Sequence, residues 1–150
     1  MTLTVIKRDG RREPLNLDKF HKVTMWACEG LSNVSASEIE MKSHIQFYNG
    51  MKTSEIQETL IKAAADLISE DNPSYQYVAG RLINYHLRKE VYGCYEPKAL
   101  WEHYHDVLQD GYYTSDYITG ENPYDIKDFV ELGNYIQHDR DYNIAYAGME

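Results

Sequence analysis

The chain is poor in the residues that carry the commonest covalent and metal chemistries. Its two cysteines, Cys28 and Cys94, lie far apart and in no CxxC or Cys/His cluster, which excludes a zinc site and a disulfide framework and leaves two reduced thiols. Six histidines are scattered, and only His103 and His105 are close. Two positions apart on a helix, they point to different faces and do not chelate. No window approaches about 18 consecutive apolar residues, so no segment reads as a membrane-spanning helix. The opening Met1-Thr2-Leu3-Thr4 lacks the basic-then-apolar pattern of a secretion signal, and a cytoplasmic address is expected. Nucleophile elbow, Walker A loop and HExxH are all missing, so catalysis by this chain alone is disfavoured.

Positive charge is scarce in one half only. The net charge is −9 over 150 residues, but residues 1–89 hold twelve Lys/Arg against eleven Asp/Glu, whereas residues 90–150 hold three against thirteen. Such a chain repels a long polyanion, and nucleic acid is not an expected partner. Within the near-neutral half, residues 1–25 gather Lys7, Arg8, Arg11, Arg12, Lys19 and Lys22 against Asp9, Glu13 and Asp18. A compact positive site of this kind suits a small anion.

The pattern predicts an α+β domain, mostly α. Residues Thr2 to Arg8 are β-branched and apolar at their centre, and Asp9-Gly10 supplies a two-residue hairpin turn. The return strand, Arg11 to Leu15, contains Pro14, which cannot donate to a ladder and marks an edge. Asn16 or Asp18 caps a first helix with Phe20, Val23, Ala27 and Leu31 at helical spacing. Ser35 to Glu38 is a capping box for a second helix, which Asn49-Gly50 ends. Thr53 or Ser54 opens a third, with Ile56, Leu60, Ile61, Ala64, Leu67 and Ile68 in one apolar stripe. Asn72-Pro73 starts a fourth that runs towards Gly93. A short hairpin followed by about four helices is too few strands for a Rossmann sheet, and the glycine fingerprint is missing.

Beyond Gly93 the composition changes: ten of the fourteen tyrosines fall between Tyr92 and Tyr146. Pro97 is expected to start a helix through Leu100, Tyr104 and Leu108 to Gly111, and Asn122-Pro123 another that reaches Leu132, with Tyr112 to Glu121 turn-like. The segment reads as an acidic, tyrosine-rich helical extension. Rings with polar tips on apolar bodies suit a partner surface, and short helices are marginal alone.

Two readings of the basic hairpin stay open on the residues alone. Lys7 and Arg8 end the first strand, Lys19 stands in the first turn of a helix, and Thr53 at a helix N-terminus where free N–H groups favour anions. These groups can hold a triphosphate, or they can be solvated surface charge. Glu13 and Asn16 can read a base edge by hydrogen bonds, or serve the turn and the helix cap.

The run from Val5 through Lys7-Arg8-Asp9-Gly10 and Glu13-Pro14-Leu15-Asn16-Leu17-Asp18 to Lys19 resembles the opening of the ATP-cone domain. The runs Ser43 to Thr53, Ile61 to Ile68, Tyr75 to Leu82 and His138-Asp139-Arg140-Asp141 resemble, in order, the same region of class I (aerobic) ribonucleotide reductase large subunits. The resemblance implies an ATP-cone over residues 1–93 and, over 94–150, a helical segment leading to a catalytic barrel that this chain does not contain. It implies an allosteric site for ATP or dATP, with Mg2+ as accompanying ion, that controls overall activity in deoxyribonucleotide synthesis. Lys7, Arg8, Thr53 and Lys89 would contact phosphates, and Glu13, Pro14, Leu15, Asn16, Leu17, Asp18 and Lys19 would wrap the nucleotide. Glu13 and Asn16 would lie nearest the base, and Val5 would pack against the purine. Gln57 departs from the pattern, since many members carry there a His that helps the site respond to dATP. No catalytic residue, metal site or redox cofactor is expected in this chain.

The implied partners are the catalytic segment of the large subunit and the small, radical-generating subunit. A cut chain and a naturally split subunit, as some bacteriophages have, both fit an end at residue 150, and the address is then the bacterial host's cytoplasm. Two rivals remain. One is a degenerate cone that serves only as an assembly piece. The other is an ATP-cone transcriptional regulator, which would need an N-terminal four-cysteine zinc ribbon.

Overall fold

A computed structural model of the chain describes residues 3–116 and 123–149. Its contacts form two compact units, Met1–Leu87 with Asp141–Glu150, and Arg88–Arg140.

The first unit opens with β1 (Thr4–Ile6) and β2 (Arg12–Pro14), paired antiparallel with Val5 opposite Glu13. The turn differs from the two-residue form expected. Gly10 N donates to Lys7 O at 2.9 Å, Lys7 N to Arg11 O at 2.8 Å, and Gly10 alone in the turn has a positive φ, +83°. A primed two-residue turn needs positive φ at Asp9 as well, and Asp9 has a Cβ that opposes it. Arg8 and Asp9 therefore occupy the middle of the turn, Gly10 takes the left-handed bulge, and the Asp9 carboxylate accepts from Arg11 N at 3.0 Å and Nε at 2.7 Å.

A third strand, β3 (Met51–Lys52), lies parallel to β1 with Val5 opposite Met51 and Ile6 opposite Lys52. The sheet order is β2-β1-β3. Pro14 thus sits on an edge strand, where a missing N–H costs little. Two residues are too few to show a period, which is why the sequence pattern gives no strand at this place. Asn49 and Gly50 brace it: Asn49 Oδ1 accepts from Thr4 N at 2.9 Å, and Gly50 N donates to Thr4 O at 2.7 Å.

Four helices complete the unit's core. Asn16, not Asp18, caps α1 (Leu17–Cys28), accepting from Lys19 N at 2.9 Å. Ser35 caps α2 (Ala36–His44), but the box does not close. Glu38 instead accepts from the Tyr75 hydroxyl at 2.6 Å, and that oxygen accepts from Ser35 N at 3.0 Å. The N-cap of α3 (Thr53–Ala65) is Lys52, rather than Thr53 or Ser54. A lysine side chain accepts nothing, so Glu55 supplies the oxygen and takes Lys52 N at 2.9 Å. The regular part of α4 (Tyr75–Tyr92) begins after a turn at Asn72-Pro73, two residues beyond the proline expected to lead it. Val5, Phe20, Ile39, Met51, Ile56, Leu60, Tyr75, Val78 and Leu82 pack into one buried core, so sheet and helices share a single interior.

The second unit holds α5 (Leu100–Gln109) and α6 (Ile126–Tyr135). Asp125 caps α6 in a reciprocal box with Asp128, at 3.1 and 2.8 Å. The helix thus starts three residues after Pro123, and Asn122, the other half of the expected start, lies outside the described residues. So do residues 117–121 of the stretch expected to be turn-like. Tyr104 stacks on Phe129 at 4.7 Å and on Tyr113 at 5.9 Å, and its hydroxyl donates to Thr114 O at 2.9 Å. A 3-10 helix (His138–Asn143) follows, and α7 (Tyr146–Met149) belongs to the first unit. Among the described residues no helix is long and apolar enough to cross a membrane, and no cluster of three His, Cys, Asp or Glu could hold a metal. The architecture is α+β, mostly α.

Candidate functional site

The parallel β1–β3 pair decides where the site is. Ile6 and Lys52 are register partners, so the next residues, Lys7 and Thr53, leave the ends of adjacent strands. Thr53 is also the first residue of α3, whose opening N–H groups have no partners within the helix and carry the positive end of its dipole. Lys7 is thereby set beside a helix N-terminus that sequence distance alone would not bring to it.

The hairpin supplies the opposite wall. Lys7 Nζ lies 2.8 Å from Glu13 Oε1 across the β1–β2 pair, and both side chains are about one-third exposed, at 28% and 36%. The hydrogen bond from Lys7 holds the Glu13 carboxyl below its ordinary range, and the nearby charges of Lys19 and Arg11 act in the same direction. Lys19 therefore belongs to this electrostatic group. Asn16 spends its side-chain oxygen on the α1 cap, which leaves its amide NH2 as a donor. Leu15 is anchored by its N–H to Leu3 O at 2.7 Å and packs on the core, whereas Leu17 is exposed. Pro14 ends β2, and Asp18 stands in the first turn of α1. Val5 is 3% exposed within the core, so little of its side chain is open to a ligand.

At the turn, Arg8 Nη2 donates to Gln57 Oε1 at 3.3 Å. The same oxygen meets His86 Nδ1 at 3.0 Å. Because Arg only donates, the amide oxygen must face Arg8, and His86 must then carry its proton on Nδ1. Gln57 thus links the hairpin to α4. In the sequence His86 is one of six scattered histidines and was given no place in the site: nothing in its local pattern distinguishes it from a helix-surface histidine. The sequence reading missed Glu55, whose signal was legible as an acid three residues into a helix whose N-cap cannot cap itself. Glu55 accepts from Lys52 N and from the Tyr48 hydroxyl at 3.0 Å, which lowers its carboxyl and turns its charge towards the cap.

Lys7, Arg8, Glu13, Lys19, Thr53 and Gln57 thus gather in the first unit from four elements. Lys89 is on the last turns of α4, in the second unit. The gathered set offers cations and helix-start N–H groups at one end, which suit a small anion, and a hydrogen-bond acceptor with a nearby amide donor at the other.

Comparison with known proteins agrees in extent. The ATP cone domain matches residues 3–90. The alpha subunit of ribonucleoside-diphosphate reductase 1 from Escherichia coli K12 is 51% identical over 148 residues, and that of Salmonella typhimurium is 50% identical over 149. The ribonucleoside-diphosphate reductase alpha subunit of Enterobacteria phage T4 is 36% identical over 148. These alignments cover 97–99% of this chain but only 19% of each relative, in its N-terminal region, so the chain spans about a fifth of their length. ATP-cone domains bind ATP or dATP as allosteric effectors. With its hairpin, its first three helices, most of α4 and 88 of its 150 residues matched, the chain belongs to the ATP-cone domain family.

Proposed function

We propose that this chain is the regulatory, nucleotide-sensing part of a ribonucleoside-diphosphate reductase large subunit, binding ATP or dATP in the hairpin–α3 site. The observation that carries the reading is the register pair Ile6–Lys52, which puts Lys7 beside the N-terminus of α3. Phosphates sit at that N-terminus with Lys7, Arg8, Lys19 and Thr53. Glu13 accepts, and Asn16 donates, along a base edge that offers a donor beside an acceptor, as adenine does. Residues 14–18 wrap the nucleotide, and Val5 contributes at most a strip of floor beneath the base. Mg2+ arrives with the phosphates, since it keeps most of its waters and needs few protein ligands. The family resemblance implies a further phosphate contact from Lys89.

In this reading residues 1–93 are the regulatory domain, and residues 94–150 lead to a catalytic segment of the large subunit. The effect of the nucleotide on activity is exerted on the association of large and small subunits. It requires different affinities of nucleotide for the two association states, and a coupling of about 1–3 kcal/mol is a usable switch.

Calorimetry of the whole chain with ATP and with dATP tests the site. Binding in the micromolar range is expected, strongly weakened by Lys7→Ala and by Lys89→Ala. No heat with either nucleotide, or unchanged affinity in both variants, overturns it. A second reading, that the chain is an assembly piece, is favoured by one observation. The second unit exposes Tyr112, Ile126, Leu132 and Tyr135 on acidic elements. Tight binding to a separately produced barrel segment, with no nucleotide heat, selects that reading.

A further inference from the structure

Within the first unit, α4 carries a contact that the site described above does not use. Gly80 faces the carbonyl oxygen of Ile144, and a Cβ at that position would collide with it. The obstacle is backbone, so no rotamer change relieves it. One residue on, Arg81 turns its guanidinium onto the C-terminal end of α1. Its Nη1 donates to Ala27 O at 3.1 Å and to Glu29 O at 2.7 Å. Its Nε makes a longer contact, 3.5 Å, to Tyr142 O, and its Cζ lies 5.7 Å from the centre of the Tyr142 ring. Trp26 of α1 is flanked by Tyr142 at 5.6 Å and by Tyr85 of α4 at 5.9 Å. Tyr146 packs against the core. Residues 141–149 are thus buckled onto α1 and α4 by a glycine gap, an arginine and an aromatic group.

The residue after Tyr85 is His86, whose Nδ1 donates to Gln57 Oε1, the oxygen that also holds Arg8. The short stretch from Gly80 to His86 therefore seats this segment and reaches the hairpin turn as well. We propose that residues 141–149 form a strap whose seating on α1 and α4 is coupled to nucleotide occupancy, with Gly80 and Arg81 as the residues that position it. The proposal rests on the nucleotide-binding reading. Phosphates that engage Arg8 fix the Gln57 amide, the amide fixes His86, and the α4 stretch then holds one arrangement, the one the strap fits. Adjacency is not coupling; coupling is shown by reciprocity. If nucleotide tightens the strap, loosening the strap must weaken nucleotide by the same factor.

The experiment uses the full chain. Hydrogen exchange of residues 141–149 is followed with and without saturating ATP, and Trp26 emission is read in a Trp101→Phe background. Two variants unseat the strap: Gly80→Ala at the helix, and Tyr142→Ala, which leaves α4 unaltered and serves even if the first does not fold. In the wild type, ATP should slow exchange of 141–149 by about fivefold or more, the low end of usual allosteric couplings. Without nucleotide, both variants should exchange this segment faster and shift Trp26 emission to the red, and each should bind ATP more weakly by the factor that ATP confers on the strap. Equal exchange with and without ATP in a chain that calorimetry shows to bind it overturns the coupling and leaves the nucleotide reading intact. So does wild-type ATP affinity in a variant whose strap is free. A wild-type chain that binds no ATP overturns both, and is told apart by its calorimetric trace.

Discussion

The backbone of Ile6 pairs with that of Lys52 in a parallel ladder only two residue pairs long. Short as it is, this ladder aligns the hairpin with the start of α3. The Asn49 side chain and Gly50 N–H clamp its entrance by bonding to both polar groups of Thr4.

Asn49→Ala removes one of those bonds. The expected cost is about 0.5–1.5 kcal/mol of global stability, read from urea unfolding. The larger effect should be local: faster amide exchange at residues 4–6 and 51–52 than elsewhere in the core. A uniform change across the core would show that the clamp does not act on the ladder.

Glu13 lies against Lys7, and in the proposed site it would draw charge from the phosphate end towards the base end. Glu13→Gln should therefore strengthen binding of inorganic triphosphate while reducing the preference for ATP over GTP. Calorimetry with the three ligands decides; loss of triphosphate binding would mean that the carboxylate supports the anion site. The same pair has a pH signature. Its partner holds the folded carboxyl below its unfolded value, so the pair's contribution is complete above that unfolded value and fades as pH falls through the lower folded one. The Glu13 carboxyl resonance should titrate below the ordinary glutamate range, and Lys7→Met should raise it, with the charges of Lys19 and Arg11 still holding it down.

The Tyr75 hydroxyl accepts from Ser35 N and donates to Glu38, in a side chain that is 1% exposed. Burial, and then the Glu38 bond, push its phenol up to about 12. Tyr75→Phe leaves Ser35 N without its partner at the entrance to α2 and should cost about 1–3 kcal/mol. Glu38→Gln, which still accepts, should cost less. Equal losses in denaturant melts would mean that the Glu38 charge, not the hydroxyl, holds this corner.

Cys28 and Cys94 should differ in reactivity. Burial raises the Cys28 thiol to about 11, so its thiolate is scarce at neutral pH, whereas Cys94 is exposed. Iodoacetamide at pH 8 should label Cys94 first, and Cys28 should follow only on unfolding or at strongly alkaline pH. Comparable rates in the native chain, followed by mass spectrometry, would contradict the burial of Cys28.

Patterns of a few neighbouring residues were enough for most of the elements. Asn16, Ser35 and the apolar stripe of α3 declare their helices because a cap or a 3.6-residue period is a local property. Pro14 declares an edge for the same reason. The bulged turn at Gly10 needed a φ value, and the strand Met51–Lys52 needed a partner. The hairpin charges were visible as a cluster in the chain, but their neighbours were not, since only the fold sets Lys7 beside the start of α3 and Arg8 against Gln57. Residues 141–149 fit Gly80 through a backbone collision that only a folded pair of segments can express. The amino-acid sequence by itself determined the periods, the caps and the charge available for an anion. Tertiary structure alone decided which distant residues come together, because the free energy of a two-residue ladder or a shared hydrogen bond depends on neighbours that chain order does not specify.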